Sequence, residues 1–232
     1  MELTPDSIVY YRSGPLVLSA TLVLTWVVMA VLILGSWLIT RRLSSELPVP
    51  RWQGVLEIVV GGIRDQIRSL APGAAETYVP FVGSLFLFIS LSSLLSIVPG
   101  FHPPTGSLST TSALALCVFV AVPFFGALSL GLKGYLRHYL EPSPILLPFH
   151  ILAELTRTLA LAVRLFGNVM SGTFLVAVLL AVAPVFFPAV MSLLELFLGQ
   201  VQAYIFAVLS MVYIAAAAQA HEGLTKGDKQ DG

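Results

Sequence analysis

One arginine stands where charge is least welcome. Arg164 lies in Leu161-Ala162-Val163-Arg164-Leu165-Phe166-Gly167-Asn168, within a run from Leu159 to Ala183 that is otherwise almost entirely apolar. Its guanidinium stays protonated under any biological condition. Placing it in hydrocarbon costs roughly 2.5–3.5 kcal/mol on insertion scales. A chain keeps such a residue when something stabilises the charge or uses it, so Arg164 is the first candidate for chemistry. His150, Glu154, Arg157, Arg164, Asn168 and Ser171 follow one another at steps of 4, 3, 7, 4 and 3 and fall along one face of a helix. In the next apolar run Glu195 and Gln202 are 7 apart, with the small Gly199 between them. A polar stripe on an otherwise lipid-compatible helix serves as an aqueous path or as a polar contact surface.

Structural readings compete with these. Glu154 and Arg157 are spaced to pair with each other, and long side chains near headgroups snorkel. Asn168 and Gln202 suit hydrogen bonds between helices. A fixed buried Arg164–Glu195 pair is a further option, since Glu195 is the only deep carboxylate on the chain. Ser90, Ser92, Ser93 and Ser96 suit helix packing or a water path. Tyr204 and Tyr213 read as packing or interface residues, His150 beside Pro148 as interfacial, and His221 as solvated. Cys117, the single cysteine, excludes an internal disulfide and reads as small core packing.

The elements that must position these residues are membrane helices. Of 232 residues, 57% are hydrophobic and 10% are charged, against about 25% charged in soluble domains. Apolar runs able to span a bilayer cover about 16–40, 78–98 and 111–132. Residues 52–70 carry Val55, Ile58, Val59, Ile63 and Ile67 at helical spacing among charged residues, which predicts an amphipathic helix on the membrane surface or against the next span. Residues 99–110 form a Pro/Gly/Ser/Thr loop, and Glu141-Pro142-Ser143-Pro144 breaks the chain again. The runs 148–183 and 189–220 exceed thirty residues each. At ~1.5 Å per residue that is roughly 50 Å, against ~30 Å of hydrocarbon. With Pro184 and Pro188 forming a turn, they predict a long, steeply tilted hairpin. The expected fold class is an all-α integral membrane protein with five membrane helices and one surface helix, in a single membrane domain.

Charge places the ends. Lys plus Arg equals Asp plus Glu at 12 each, which suggests no nucleic-acid partner. Arg41, Arg42 and Arg51 follow the first span, Lys133 and Arg137 the third, and Lys226 and Lys229 lie in the tail, whereas the alternate loops have no Lys or Arg. The bias predicts residues 1–15 outside and residues 221–232 in the cytoplasm. The polar, mildly acidic N-terminus reads as no cleavable signal peptide. No metal-ligand cluster, nucleophile elbow, phosphate loop or internal repeat is visible, so the sequence makes no case for covalent chemistry of its own.

Arg164-Leu165-Phe166-Gly167-Asn168 in a long apolar helix resembles the signature of subunit a of rotary F-type ATP synthases. Gln202-Ala203-Tyr204-Ile205-Phe206, with Val208-Leu209 and Val212-Tyr213, resembles that family's last helix, and Pro99-Gly100 matches a further position. The resemblance runs from about Pro80 to Glu222. It implies a stator subunit whose hairpin, 148–220, packs against a rotating ring of c subunits, each bringing a membrane carboxylate to Arg164. It also implies two offset half-channels for H+ or Na+, b-type peripheral stalk subunits, and ATP chemistry on other subunits, with no bound cofactor and a bacterial inner membrane as the setting. Asn168, Gln202 and Arg157 match family positions and Glu154 lies in an acidic region of the family, with Ser171 beside them on the stripe. Glu195 matches a half-channel position. Thr173 stands where the family often has a titratable residue, and Ser93 and Ser96 replace Asn and often acidic or Gly residues. These departures leave the ion open, and with the short N-terminal region they resemble the divergent sodium-type branch.

A stand-alone transporter or channel is the rival reading. It predicts repeats, helices interrupted at mid-membrane and a closed polar cavity. The sequence shows open stripes instead. A purely structural membrane anchor leaves Arg164 without a role.

Overall fold

Hydrocarbon leaves a backbone few choices, because each unsatisfied N–H or C=O costs several kcal/mol there. The apolar runs accordingly form helices over most of their described length. The computed structural model describes residues 9–13, 16–41, 51–70, 75–98, 101–140, 147–182 and 187–219. Its helices are α1 (Ala20–Thr40), α2 (Arg51–Leu70), α3 (Ala75–Leu95), α4 (Leu108–Leu140), α5 (Leu147–Val182) and α6 (Phe187–Gln219). Five of them contain stretches long and apolar enough to cross a membrane: α1, α3, α4, α5 and α6.

The all-α expectation holds, with one addition. Strands β1 (Val9–Ser13) and β2 (Leu16–Ser19) pair antiparallel ahead of α1. The first span therefore begins at Ala20 and not at residue 16, because Leu16–Ser19 is taken up in the strand. At the other end of α1 the Arg41 guanidinium lies 4.9 Å from the centre of the Trp37 ring, a cation–π contact of the kind that anchors a helix end at the headgroups.

Helix α2 packs against α3 and α6, which decides between the two placements open to an amphipathic helix. Ile67 is buried and Ile63 packs on the same core. On its polar side Arg64 and Arg68 reach one carboxylate, Glu76 at the start of α3, at 3.1 and 3.2 Å. Between α2, α3 and α6 an apolar groove of about 290 Å³ remains, with Gly62, Phe86, Tyr204 and Met211 among its walls.

The loop between α3 and α4 folds inward. Pro104, Thr105 and Gly106 form a buried 3-10 turn packed against α5 and α4. Ser107 then caps α4, its hydroxyl accepting from the Ser109 amide at 3.2 Å, as an N-cap side chain does. This cap moves the start of α4 three residues ahead of the expected Thr111. The apolar stretch of α4 ends at Leu128. Gly131 breaks the helix with φ 72, a backbone region that L side chains avoid and glycine adopts freely. The Glu141–Pro144 break, Pro184, and the tail with His221 lie outside the described residues.

The core is the seam of α3, α4, α5 and α6, filled by Val82, Ile89, Val118, Leu165, Phe206 and Ile214 and lined with small Ala115, Ala162 and Ala203. Small residues let membrane helices approach closely, and packing rather than water exclusion holds them. Cys117 is not part of this core. It is exposed, on the outward side of α4 with Leu116 and Val120. Cores and lipid-facing surfaces share one composition, so the apolar run around Cys117 carried no information about its direction.

Candidate functional site

The long hairpin carries the site. Helix α5 has 36 residues and α6 has 33. At ~1.5 Å per residue both reach about 50 Å, more than hydrocarbon thickness allows upright. Only 11% of the α5 apolar stretch is buried within the chain, against 44% for α6. One side of α5 packs inward through Leu161, Ala162 and Leu165. The opposite side presents Leu159, Val163 and Phe174 outward.

Arg164 is exposed on that open side, with exposed Gly167 and Ser171 three and seven residues on. A Cβ added at Gly167 would meet nothing within 4 Å, so the surface beside the guanidinium is low and unobstructed. Arg164 makes no ion pair or hydrogen bond with any described residue. In particular it is not paired with Glu195, so the fixed Arg164–Glu195 pair entertained from the sequence does not form. The reason is placement: the Glu195 carboxyl sits against Gly172 and Thr173, eight and nine residues along α5 from Arg164 and roughly 12–13 Å away at ~1.5 Å per residue. Thr173 Oγ1 lies 3.3 Å from Glu195 Oε1, and the carboxyl lies so close over the α5 backbone at Gly172 that an added Cβ there would come within 2.9 Å of Glu195 Cδ.

The other stripe residues divide. Glu154 and Arg157 pair at 3.6 Å, as their spacing allowed. Arg157 also lies over the Tyr213 ring at 5.6 Å, so this basic position links α5 to α6. Asn168 Nδ2 donates to the Leu198 carbonyl at 3.5 Å, a second α5–α6 link, and Ser171 Oγ donates back to the Asn168 carbonyl at 3.1 Å. His150 is exposed near the start of α5.

Gln202 is buried between the helices, and its Nε2 finds no hydrogen-bond partner among the described residues. Ser92 Oγ is likewise buried and has no partner among the described residues. Unsatisfied buried polar groups are rare and costly, and two in one four-helix seam mark it as more polar than its composition suggests. The α3–α6 contact holds a further array. Ser90 Oγ donates to Gln200 Oε1 at 2.5 Å, and Gln200 Nε2 donates to the Ser90 carbonyl at 3.1 Å. Ser93 packs on Gly199 so tightly that any Cβ there would overlap its hydroxyl. Ser96 Oγ donates to the Ser93 carbonyl at 2.7 Å. Gln200, Gly172 and Tyr213 carry contacts that sequence reasoning missed. An amide at position 200 in an apolar run was a signal in itself, overshadowed by the seven-residue spacing of Glu195 and Gln202. Among the described residues no cluster could hold a metal ion.

Three kinds of group are thus brought together: an unpaired cation on an open helix face, a carboxyl held one helix away, and buried amides and hydroxyls between the helices. This suits moving a charged species past a fixed positive charge. Comparison with known proteins agrees. Residues 22–215 match the family model described as ATP synthase A chain. The chain is 57% identical over 219 residues to a protein of Acaryochloris marina named ATP synthase subunit a 2, covering 94% of each. It is 55% identical over 225 residues to ATP synthase subunit a 1 of Chlorobaculum parvum, covering 97% of this chain and 100% of that one. It is 56% identical over 217 residues to ATP synthase subunit a of Albidiferax ferrireducens, with 94% of each covered. The chain belongs to the ATP synthase A chain family.

Proposed function

We propose that this chain is the ion-channel stator of a rotary F-type ATP synthase, and that Arg164 is the fixed charge against which a ring of c subunits turns. The observation that carries this is the state of Arg164. It is a permanent cation on the open side of α5, flanked by small residues, with no anionic partner among the described residues, although Glu195 lies on the adjoining helix. A charge so costly in hydrocarbon needs an anion, and a carboxylate brought in trans by each c subunit supplies one. The positive charge favours the ionised form of the carboxylate facing it and blocks a direct leak between the two half-channels. An ion therefore rides the ring before it leaves.

Glu195, with Thr173, lines one half-channel. The seam around Gln202, Asn168, Ser93 and Ser96 supplies its polar walls, and Glu154 and Arg157 stand toward the far end of α5. Basic residues after the first and third spans and in the tail support an external N-terminus and a cytoplasmic C-terminus in a bacterial inner membrane. A b-type peripheral stalk holds the stator against the ring, and ATP is made or hydrolysed on other subunits. A stand-alone transporter is disfavoured, since it leaves an arginine facing outward with nothing to meet.

The test is Arg164→Ala in the whole complex reconstituted in vesicles. Ion-driven ATP synthesis is abolished while the complex assembles; coupled synthesis at the native rate would falsify the proposal. Glu195→Gln slows ion transport and changes its pH profile, and an unaltered rate across pH would reduce Glu195 to a structural residue. Imposing a pH gradient or a sodium gradient on the native complex identifies the ion. A lone ring carboxylate in apolar surroundings takes H+, and added oxygen ligands beside it take Na+.

A further inference from the structure

The Thr173 hydroxyl lies between two acceptors. The Val169 carbonyl, one turn back on α5, is at 3.0 Å, and Glu195 Oε1 on α6 is at 3.3 Å. A hydroxyl has one proton to give and two lone pairs to receive with, so it cannot donate fully to both. The two contacts therefore describe two alternatives. With Glu195 ionised, the hydroxyl proton points to Oε1. With Glu195 protonated, the carboxyl O–H donates to Thr173 Oγ1, and the hydroxyl proton turns back to the Val169 carbonyl. Rotation about one C–O bond leaves every group satisfied in either state. Val169 loses nothing essential when the hydroxyl turns away, because its carbonyl also accepts the helical amide bond of Thr173.

We propose that Thr173 is a positioning residue that follows the proton on Glu195 and holds the carboxyl in one place whether or not it is charged, and that Gly172 provides the clearance for this. A half-buried carboxyl such as Glu195 with a partner for only one of its forms shifts position or favours that form. One with a partner for both can take up and release a proton without moving. The added Cβ at Gly172 that falls 2.9 Å from Glu195 Cδ and 3.0 Å from its Oε1 explains why glycine precedes Thr173: any side chain would lift the carboxyl off the hydroxyl.

The Glu195 carboxyl makes no ion pair with any described residue. Helix α6 has no other acidic or basic residue, α3 has only Glu76 at its start, and Leu108–Leu128 of α4 has none. On α5 the charged groups are Glu154, Arg157 and Arg164, with His150 near its start, and His102 lies in the loop before α4. The remaining titratable side chains on α3, α5, α6 and Leu108–Leu128 of α4 are Tyr78, Cys117, Tyr204 and Tyr213, and α2, which also packs on α6, carries Arg51, Glu57, Arg64, Asp65 and Arg68, of which Arg64 and Arg68 pair with Glu76. A neutral hydroxyl is thus the group that meets Glu195 directly.

This inference rests on Glu195 being a half-channel residue, and the experiment separates the two. In the reconstituted complex, Thr173→Ser keeps the hydroxyl and with it the midpoint of the pH profile of ion-driven ATP synthesis. Thr173→Val keeps the shape, removes the hydroxyl, slows synthesis about tenfold and moves the midpoint of the pH profile. Gly172→Ala behaves like Thr173→Val. In the Glu195→Gln background Thr173→Val causes no further change. A Thr173→Val complex with the native rate and profile, beside a slowed Glu195→Gln complex, overturns the inference and leaves the half-channel standing. A Glu195→Gln complex that is itself unchanged overturns both. Should Thr173→Val assemble poorly, the infrared carbonyl band of protonated Glu195, assigned by its loss in Glu195→Gln, gives the second reading. It shifts when the native protein is compared with Gly172→Ala and stays put in Thr173→Ser; an unmoved band in Gly172→Ala overturns the inference.

Discussion

Two side-chain contacts make the α3–α6 seam specific. Gly199 and Ser93 are matched in volume, so Gly199→Ala overfills the contact and destabilises the subunit by about 1–3 kcal/mol. Trimming the opposite side with Ser93→Gly restores most of the loss, measured as the yield of intact complex after heating in detergent. If the double variant is no better than Gly199→Ala alone, the two residues are not in the contact described. Ser90 and Gln200 exchange two hydrogen bonds. Such pairs in membrane proteins average about 0.6 kcal/mol and reach about 1.7. A double-mutant cycle with Ser90→Ala and Gln200→Leu gives a coupling in the upper half of that range, because both bonds are lost together. A coupling near zero would show that the pair does not persist.

At the level of helices, spacing and hydropathy foretold much. Long apolar runs become helices because hydrocarbon forbids unpaired backbone, and the over-long hairpin was legible from its length. The seven-residue spacing of Glu195 and Gln202 put them on one helix face, yet Gln202 is buried and unpaired while Glu195 meets Thr173. Which residue of α5 meets which residue of α6 depends on the turn that joins them, and helical periodicity carries no information about that. The family position of Thr173 pointed to it, but the spacing of residues did not. The inward fold of residues 104–106 was equally hidden, since Pro, Gly, Ser and Thr read as an ordinary surface loop. Helix α2 was legible as amphipathic but not in its docking, which two arginines and one glutamate complete. Those side chains are 44%, 54% and 66% exposed, and exposed pairs contribute about 0–1 kcal/mol. Glu76→Gln therefore lowers thermal stability only slightly, and less in high salt; a large loss in a melting experiment would mean that α2 depends on charge and not on Ile63 and Ile67.

For the molecule as a whole, the division of labour between its faces matters most. Helices α3, α4 and α6 form the packed body, and α5 lies along it with its outer side open. Arg164 stood out in the sequence because charge in an apolar run is conspicuous. Its isolation did not, because only the packed hairpin reveals that Glu195 is occupied. The buried turn at Pro104–Gly106 acquires a mechanical meaning from this layout. Gly106 meets Val169, with 3.3 Å from its position for a Cβ to Val169 Cγ1, on the helix that carries Arg164 and only five residues beyond it. One charge falling through 100 mV releases about 2.3 kcal/mol. In the proposed motor, spread over one ring position of roughly 10 Å, the spacing of packed helices, that is a sideways load of ~0.2 kcal/mol per Å on α5. Apart from its links to α6 at Arg157, Asn168 and Thr173, α5 rests on its neighbours by dispersion, and a long helix held so bows under repeated loading of that kind. In the motor proposed above the turn stands behind the loaded point as a buttress, and a stiffer turn leaves less of each push to bend the stator.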